Sequence, residues 1–285
     1  YQNYIFPLLF LKRISDVYEE ERDAALKKVS GNVAALVMYK FYFRIPVGCS
    51  WEDLRNTSKD VGTKIIDMFR KIEQANPVLE GIFGNQNWAN KDKLSDALLH
   101  DLVEHFSKHN LSLANCPEDE LGTAYEILLK RFADDGGNTA QEFYTNRTVV
   151  KLMAEMLDPK SEESIYDPTC GTGGMLISSI YHVKSQKKEW RNMKVYGQEI
   201  TPLTAAIAKT NLYLNGVKEF QIATGDTLEH PAFIENDKLM QFDMVLANPP
   251  YSISQWNRTA FEHDKYGRNF LGTPNQGCAD YAFFQ

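Results

Sequence analysis

The sequence predicts an α/β fold, a doubly wound parallel sheet, preceded by an all-helical N-terminal domain. Three observations predict it. Apolar residues recur at helical spacing through roughly the first 130 positions, and strand signals are sparse there. A Gly- and Asp-rich break follows at Asp134-Asp135-Gly136-Gly137-Asn138. Beyond it short β-rich runs alternate with helical ones, the pattern of parallel strands joined by crossover helices. The expected domains are 1–135 and 136–285.

In the first domain, Ile5 to Lys28 carries a dense apolar run that passes into charged positions. Ser50-Trp51-Glu52-Asp53 has the form of a capping box, which starts a helix. Val61 to Gln74, Leu94 to Phe106 and Glu118 to Phe132 repeat apolar residues at helical spacing, with loops such as Asn76-Pro77 between them. The most apolar stretch, Tyr4 to Leu11, is too short to cross a bilayer, so no membrane role is expected. The chain does not begin with Met, and its start is read as lying upstream.

In the second domain, Ser164 to Asp167 reads as a strand ending in a Gly-rich turn, and Gly174 to Tyr181 as a helix. Lys194 to Gln198, Phe220 to Ala223 and Phe242 to Ala247 read as further strands, and Met244 to Ala247 of the last one reads as buried. Pro202 to Leu214 is a helix with Pro at an early position. The alternation implies helices on both faces of the sheet, with ligands at the carboxyl ends of the strands.

Charge and cysteine content bound the chemistry. A net charge of −7 argues against tight autonomous binding to nucleic acid, which needs clustered Lys and Arg. The one basic stretch, Lys184 to Lys194, reads as a solvated helix end and loop. The four cysteines are dispersed, with no CxxC pair, so neither a disulfide framework nor a zinc site is expected, and a reducing cytoplasm fits.

The chemistry lies at the predicted strand ends. Asp167-Pro168-Thr169-Cys170-Gly171-Thr172-Gly173-Gly174-Met175 follows the first strand, and its glycines let the backbone approach a ligand closely. Leu176 stands where a GxGxxG turn has its third Gly, and no Lys-Ser/Thr pair follows, so neither a dinucleotide fingerprint nor a Walker loop is present. Asp167 repels a pyrophosphate and suits a ligand with an ammonium group, such as the methionine part of S-adenosylmethionine. Glu199, closing the second strand, can accept from both hydroxyls of a ribose, and Ile200 can pack on an adenine. Asp226 stands after the third strand and reads two ways: an acceptor for an adenine amino group, or an Asx turn.

Asn248-Pro249-Pro250-Tyr251 follows the last strand. Two prolines cannot extend a sheet. They aim the Asn side chain and a Pro carbonyl the same way, giving two acceptors for one NH2 group. Such acceptors favour a pyramidal nitrogen and turn its lone pair towards an electrophile. Tyr251 could stack on a base rotated out of a duplex.

This ordered set resembles the amino-methylating class of S-adenosylmethionine-dependent DNA methyltransferases, with a Rossmann-like catalytic sheet. Upstream, Ala140-Gln141-Glu142-Phe143-Tyr144-Thr145-Asn146-Arg147 resembles the family's segment over the cofactor, with Asn146 where Pro is usual and Gln141 where Gly is common. The order of motifs is that of gamma-type adenine enzymes. The opening Phe6 to Asp16 and the closing Ala279-Asp280-Tyr281-Ala282-Phe283-Phe284-Gln285 resemble modification subunits of type I restriction-modification systems. The resemblance implies S-adenosyl-L-methionine as cofactor, bound by Glu142, Phe143, Tyr144, Thr145, Asn146 and Arg147, by Asp167, Gly171, Thr172, Gly173 and Gly174, and by Glu199 and Asp226. It implies catalysis by Asn248, Pro249, Pro250 and Tyr251 on a flipped adenine in DNA, without a metal.

As partners the resemblance implies a specificity subunit that reads the sequence, a second modification subunit, and a restriction subunit that joins for cleavage. It also implies further strands beyond Gln285. Other readings stay open: a cytosine-N4 enzyme, which usually has Ser at position 248; a protein-glutamine methyltransferase, which does not typically carry the 142–147 segment; or a cofactor-binding scaffold.

Overall fold

The computed structural model describes residues 2–135 and 145–285. They fall into two compact units, Tyr1–Leu121 and Gly122–Gln285.

The first unit is helical: α1 (Gln2–Lys28), α2 (Trp51–Arg55), α3 (Val61–Ala75) and α4 (Asp96–Ser107), with short 3-10 turns at Val33–Met38 and Pro77–Leu79. The capping box forms as expected: Ser50 Oγ accepts from Asp53 N at 3.1 Å, and the Asp53 carboxylate accepts from Ser50 N at 2.9 Å. Helix α4 starts two residues later than the apolar pattern suggests, because Ser95 takes the N-cap and accepts from Leu98 N at 3.2 Å. Phe69 and Phe83 stack at 4.0 Å between ring centroids, and Trp88 meets Phe69 edge-on at 5.6 Å. A buried Lys12–Asp16 ion pair lies on α1. Arg13 donates to the carbonyls of Ser112 (3.1 Å) and Cys116 (2.6 Å), so α1 fixes the connection that leaves α4.

The division between the units falls inside α5 (Glu118–Asp135), earlier than the expected break, of which residues 136–138 lie outside the described residues. Packing explains this. A Cβ on Gly122 would come within 2.2 Å of Asn215 Oδ1, Tyr125 is fully buried, and Glu126 pairs with Arg147 at 2.7 Å. The larger part of α5 is thus built into the second unit.

That second unit is a Rossmann-like α/β fold. Its parallel sheet holds β1 (Ser164–Asp167), β2 (Lys194–Glu199), β3 (Phe220–Thr224) and β6 (Met244–Val245), in the order β3-β2-β1-β6. A two-stranded hairpin, β4 (Ile234–Glu235) and β5 (Lys238–Leu239), stands apart from it. The strand order reverses between β1 and β6, which opens a crevice at their carboxyl ends.

Ile165, Val195, Ile222 and Met244 point to one face. There they pack with Val150 of α6 (Arg147–Leu157), Leu176 and Ile180 of α7 (Gly174–Ser185), and Ala208 and Leu212 of α8 (Pro202–Leu214). Among the described residues these helices share a single core on that face. The sequence suggests helices on both. The other face carries Tyr166 and Tyr196, one residue out of phase with Ile165 and Val195. Tyr166 stacks on Phe242 at 4.6 Å, and Tyr196 meets Phe233 at 5.2 Å.

The strand expected over 242–247, with 244–247 buried, is shorter and half-covered. Only Met244 and Val245 are in regular strand, although Leu246 N still donates to Tyr166 O at 3.0 Å. Met244 and Leu246 enter the core, while Val245 is 53% exposed. Two short helices follow, α9 (Arg258–Glu262) and α10 (Asp280–Phe284). They pack through Phe261 and Ala282 on Leu228 and Ala279 in a small separate core. No helix among the described residues is long and apolar enough to cross a membrane.

Candidate functional site

The Gly-rich turn joins β1 to α7 at the crevice. Gly171 and Gly173 have φ of 53° and 78°, the left-handed region that glycine enters without strain. Gly173 is the N-cap of α7, so the following amides point out of the turn.

Two carboxylates stand behind it. Asp167 is completely buried; Oδ1 accepts from Thr169 N at 3.0 Å, and Oδ2 has no hydrogen-bond partner among the described residues. Burial, with the Glu199 charge adding to it, pushes the Asp167 carboxyl up to about 7. Glu199 is also buried. Its Oε2 accepts from Gly171 N at 3.1 Å and its Oε1 from Thr201 N at 2.9 Å, so it ties the Gly-rich turn to the end of β2. Burial raises its pKa as well. Each carboxylate oxygen keeps further acceptor capacity.

The Gly-rich turn and Glu199 border a cavity of about 300 Å³, and Asp167 is not among its lining residues. Its lining combines polar residues, Thr169, Gly171, Glu199 and Asp226 among them, with the apolar Ile200, Leu228, Ile253, Trp256 and Phe283. Ile200 is 62% exposed, at the rim. Asp226 realises the Asx turn, its Oδ1 accepting from Leu228 N at 2.8 Å, and it lines the cavity too.

Asn248 and Pro250 line the same cavity. Pro249 is half-buried and Tyr251 is 80% exposed, and neither is among the lining residues. A second, smaller cavity of about 40 Å³ shares Thr169, Gly171 and Asn248 with the first, and adds Thr145, Arg147, Thr172 and Gly174. Asn248 Nδ2 donates to Thr145 Oγ1 at 3.1 Å. Arg147 donates to Gly174 O at 3.4 Å. Asn146, exposed, caps α6 by accepting from Thr148 N at 2.9 Å, and it lines neither cavity. Glu142, Phe143 and Tyr144 lie outside the described residues.

A Gly-rich turn, a carboxylate at each of the first two strand ends and an Asn-Pro-Pro turn thus meet at one switch point. Residues 116–285 match the family model described as N-6 DNA Methylase. The chain belongs to the N-6 DNA methylase family. Residues 1–106 match a second model, the HsdM N-terminal domain.

Among relatives, the methylase subunit of the type I restriction enzyme HindI of Haemophilus influenzae is 28% identical. That match covers 85% of this chain and 57% of the relative. The MjaVIII methylase subunit of Methanocaldococcus jannaschii is 30% identical over 97% of this chain and 50% of its own length. The chain therefore spans about half the length of such relatives. A crystal structure of the type I restriction-modification methyltransferase subunit from Streptococcus thermophilus superposes with a TM-score of 0.79 at 25% identity, over all of this chain and 66% of that one.

Several residues that shape the candidate site of this N-6 DNA methylase family member escape the sequence reading. Gln198 is completely buried; its amide donates to Gly225 O (3.3 Å) and His230 O (2.9 Å) and accepts from Ala232 N (3.0 Å). It thereby holds the loop that carries Asp226. Asn211 of α8 donates to Thr172 O at 2.9 Å, and Thr227 Oγ1 to Pro168 O at 2.5 Å. Arg268 donates to the carbonyls of Thr227 and Leu228, both at 2.7 Å. A buried amide within a strand pattern is the signal that could have found Gln198, because such a group must be satisfied. Arg268 and Trp256 lie in irregular chain, where no periodicity marks them.

Proposed function

We propose that this chain is the cofactor-binding and catalytic part of an adenine-N6 DNA methyltransferase, the modification subunit of a type I restriction-modification complex. One observation carries the reading: Asn248 and Pro250 border the same cavity as Gly171, Glu199 and Asp226. An amine held at the Asn-Pro-Pro turn lies beside a ligand held by the second set.

The residues fit S-adenosyl-L-methionine as cofactor. The unpartnered, buried Oδ2 of Asp167 suits an ammonium group, since an unpaired buried carboxylate is costly until a cation or proton meets it. Glu199 has acceptor capacity for ribose hydroxyls, and Ile200, Leu228 and Phe283 offer apolar surface to an adenine. A cavity of about 300 Å³ lies within the range of small-molecule sites. Gly171, Thr172, Gly173 and Gly174 form the turn that approaches the ligand, and Thr145 and Arg147 line the second cavity.

When bound, the cofactor supplies an electrophilic methyl group on a sulfonium sulfur. Asn248 donates its Nδ2 proton to Thr145, which leaves Oδ1 as an acceptor for one amine hydrogen of a flipped adenine. The Pro249 carbonyl accepts the other, and the exposed ring of Tyr251 receives the base by stacking. A bound cofactor would supply its methyl carbon to the amine nitrogen so oriented, with the carbon–sulfur electron pair leaving on sulfur. The surplus proton goes to water, because an amide and two prolines supply no strong base.

Relatives named as type I restriction enzyme methylase subunits support the assembly reading. A specificity subunit reads the DNA, a second modification subunit flanks it, and a restriction subunit joins for cleavage. The charge of −7 agrees with delegating much of the grip on DNA to such a partner. Four dispersed, unpaired cysteines fit a reducing cytoplasm.

The test is transfer of labelled methyl from S-adenosylmethionine by the full-length protein with its specificity partner, followed by digestion of the DNA. N6-methyladenine is the expected product. N4-methylcytosine, or label on a protein glutamine, replaces this reading with another acceptor, and absence of turnover with retained cofactor binding replaces it with a scaffold.

A further inference from the structure

The chain just past the Asn-Pro-Pro-Tyr turn is held in an unfavourable shape by a residue far along the sequence. Ser252, next to Tyr251, has φ of 57°, a left-handed conformation that is unfavourable for a residue with a Cβ. Its N–H donates to Asp280 Oδ1 at 2.7 Å. One residue on, Ile253 O accepts from Ala279 N at 3.2 Å. The two bonds run in opposite directions between the same two segments, a two-point clamp between 252–253 and 279–280. Ala279 is completely buried, so the anchor is seated in the core.

The clamp also connects to the cavity. Ile253 and Trp256 on one segment and Phe283 on the other pack against the small core of Leu228, Phe261, Ala279 and Ala282, and all three line the cavity beside Asn248 and Pro250. Asp280 lines neither cavity, so it touches no ligand there. Its carboxylate accepts instead from the backbone that follows the acceptor turn.

We infer that Asp280 is a positioning residue for methyl transfer: by accepting from Ser252 N it fixes the exit of the Asn248–Tyr251 turn, and with it the aim of the two amine acceptors. The inference rests on the proposed reading of that turn. The role requires an acceptor oxygen at the Oδ1 position and no negative charge. Misaiming the turn alters reaction geometry, where a displacement near 1 Å can cost about 100-fold in rate. It leaves the contacts of Glu199 and Gly171 in place.

The experiment compares Asp280→Ala and Asp280→Asn in the full-length protein with its specificity partner. It reads kcat for DNA methylation, Kd for S-adenosylmethionine, and the thermal midpoint. Asp280→Ala is expected to lower kcat about 10- to 100-fold with Kd changed less than about 3-fold. Asp280→Asn, which keeps the acceptor, is expected to stay within about 3-fold of wild type in both. Adding Ser252→Gly to Asp280→Ala is expected to recover several-fold in kcat, since glycine holds the left-handed turn unaided.

Unchanged kcat in Asp280→Ala overturns the inference. So does Kd rising in step with the fall in kcat, or Asp280→Asn being as impaired as Asp280→Ala. Should Asp280→Ala fail to fold, Asp280→Glu carries the test, since its longer arm misplaces the acceptor; wild-type kcat there overturns the inference. A wild-type complex that methylates no DNA refutes the proposed function instead, which keeps the two failures apart.

Discussion

Asn248 donates through Nδ2 to Thr145 Oγ1 at 3.1 Å, joining the segment before α6 to the turn after β6. The bond fixes which end of the amide faces the acceptor pocket. Asn248→Ala removes an acceptor and is expected to lower methyl transfer about 100-fold or more, with cofactor affinity nearly intact. Thr145→Val keeps the acceptor but frees the amide to rotate, so a smaller loss, about 10-fold, is expected. Steady-state kinetics beside calorimetric cofactor binding checks both. Equal loss of binding and turnover in Asn248→Ala would make position 248 structural.

Glu199 works in two directions. It fixes Gly171 N and Thr201 N, and the same carboxylate borders the cavity. Glu199→Ala is expected to raise the Kd for S-adenosylmethionine at least about 10-fold, the worth of one charge-assisted hydrogen bond. Turnover at saturating cofactor should fall far less. Titration calorimetry decides it, and a wild-type Kd removes Glu199 from the site.

The site was legible in the sequence wherever a motif sits on a strand end. Asp167, Glu199, Asp226 and Asn248 all stand at carboxyl ends of strands that the alternation located, and a parallel sheet brings those ends together. Less legible was anything set by packing between distant segments. The Asp280–Ser252 clamp joins positions whose relation no periodicity encodes. Met244-Val245-Leu246-Ala247 reads as buried because its residues are apolar, yet Val245 is exposed while Met244 and Leu246 enter the core. The domain break was drawn at a Gly-rich stretch, while the close approach of Gly122 to Asn215 places most of α5 with the sheet.

Asp167 gives a pH signature. An unfolded Asp releases its proton near pH 4, whereas in the fold burial raises that to about 7. Between those values the native state holds the extra proton. Stability of the ligand-free protein therefore falls as pH rises from about 4 to about 7, then levels off. Glu199, also raised by burial, acts in the same sense. A cation beside Oδ2 favours the ionised form, so binding releases a proton. Affinity for S-adenosylmethionine is expected to improve up to about 10-fold between pH 6 and pH 8. Asp167→Asn is expected to bind more weakly and to lose most of that slope. Binding isotherms at both pH values test this, and an equal slope in the variant would assign the proton elsewhere.

Gly197 lies in the middle of β2, opposite Asp167 and Ile222. A Cβ there would stand 2.7 Å from Ile222 Cδ1 and 2.9 Å from Cys170 Sγ, closer than real contacts allow. Ile222 belongs to the core and Cys170 to the Gly-rich turn, and both are buried. Gly197→Ala must therefore displace either the strand or the turn. Overpacking of this kind costs about 1–3 kcal/mol, and roughly 2–4 °C in thermal midpoint accompanies each kcal/mol in a chain of this size class. Because Cys170 precedes Gly171, cofactor affinity is expected to fall together with stability. Gly277→Ala is the control, since its Cβ would meet only Asn275 Oδ1, at 3.5 Å. Thermal melts with and without S-adenosylmethionine measure both effects. A Gly197→Ala protein that melts like the control and gains the same ligand-induced shift would show that the turn yields without cost.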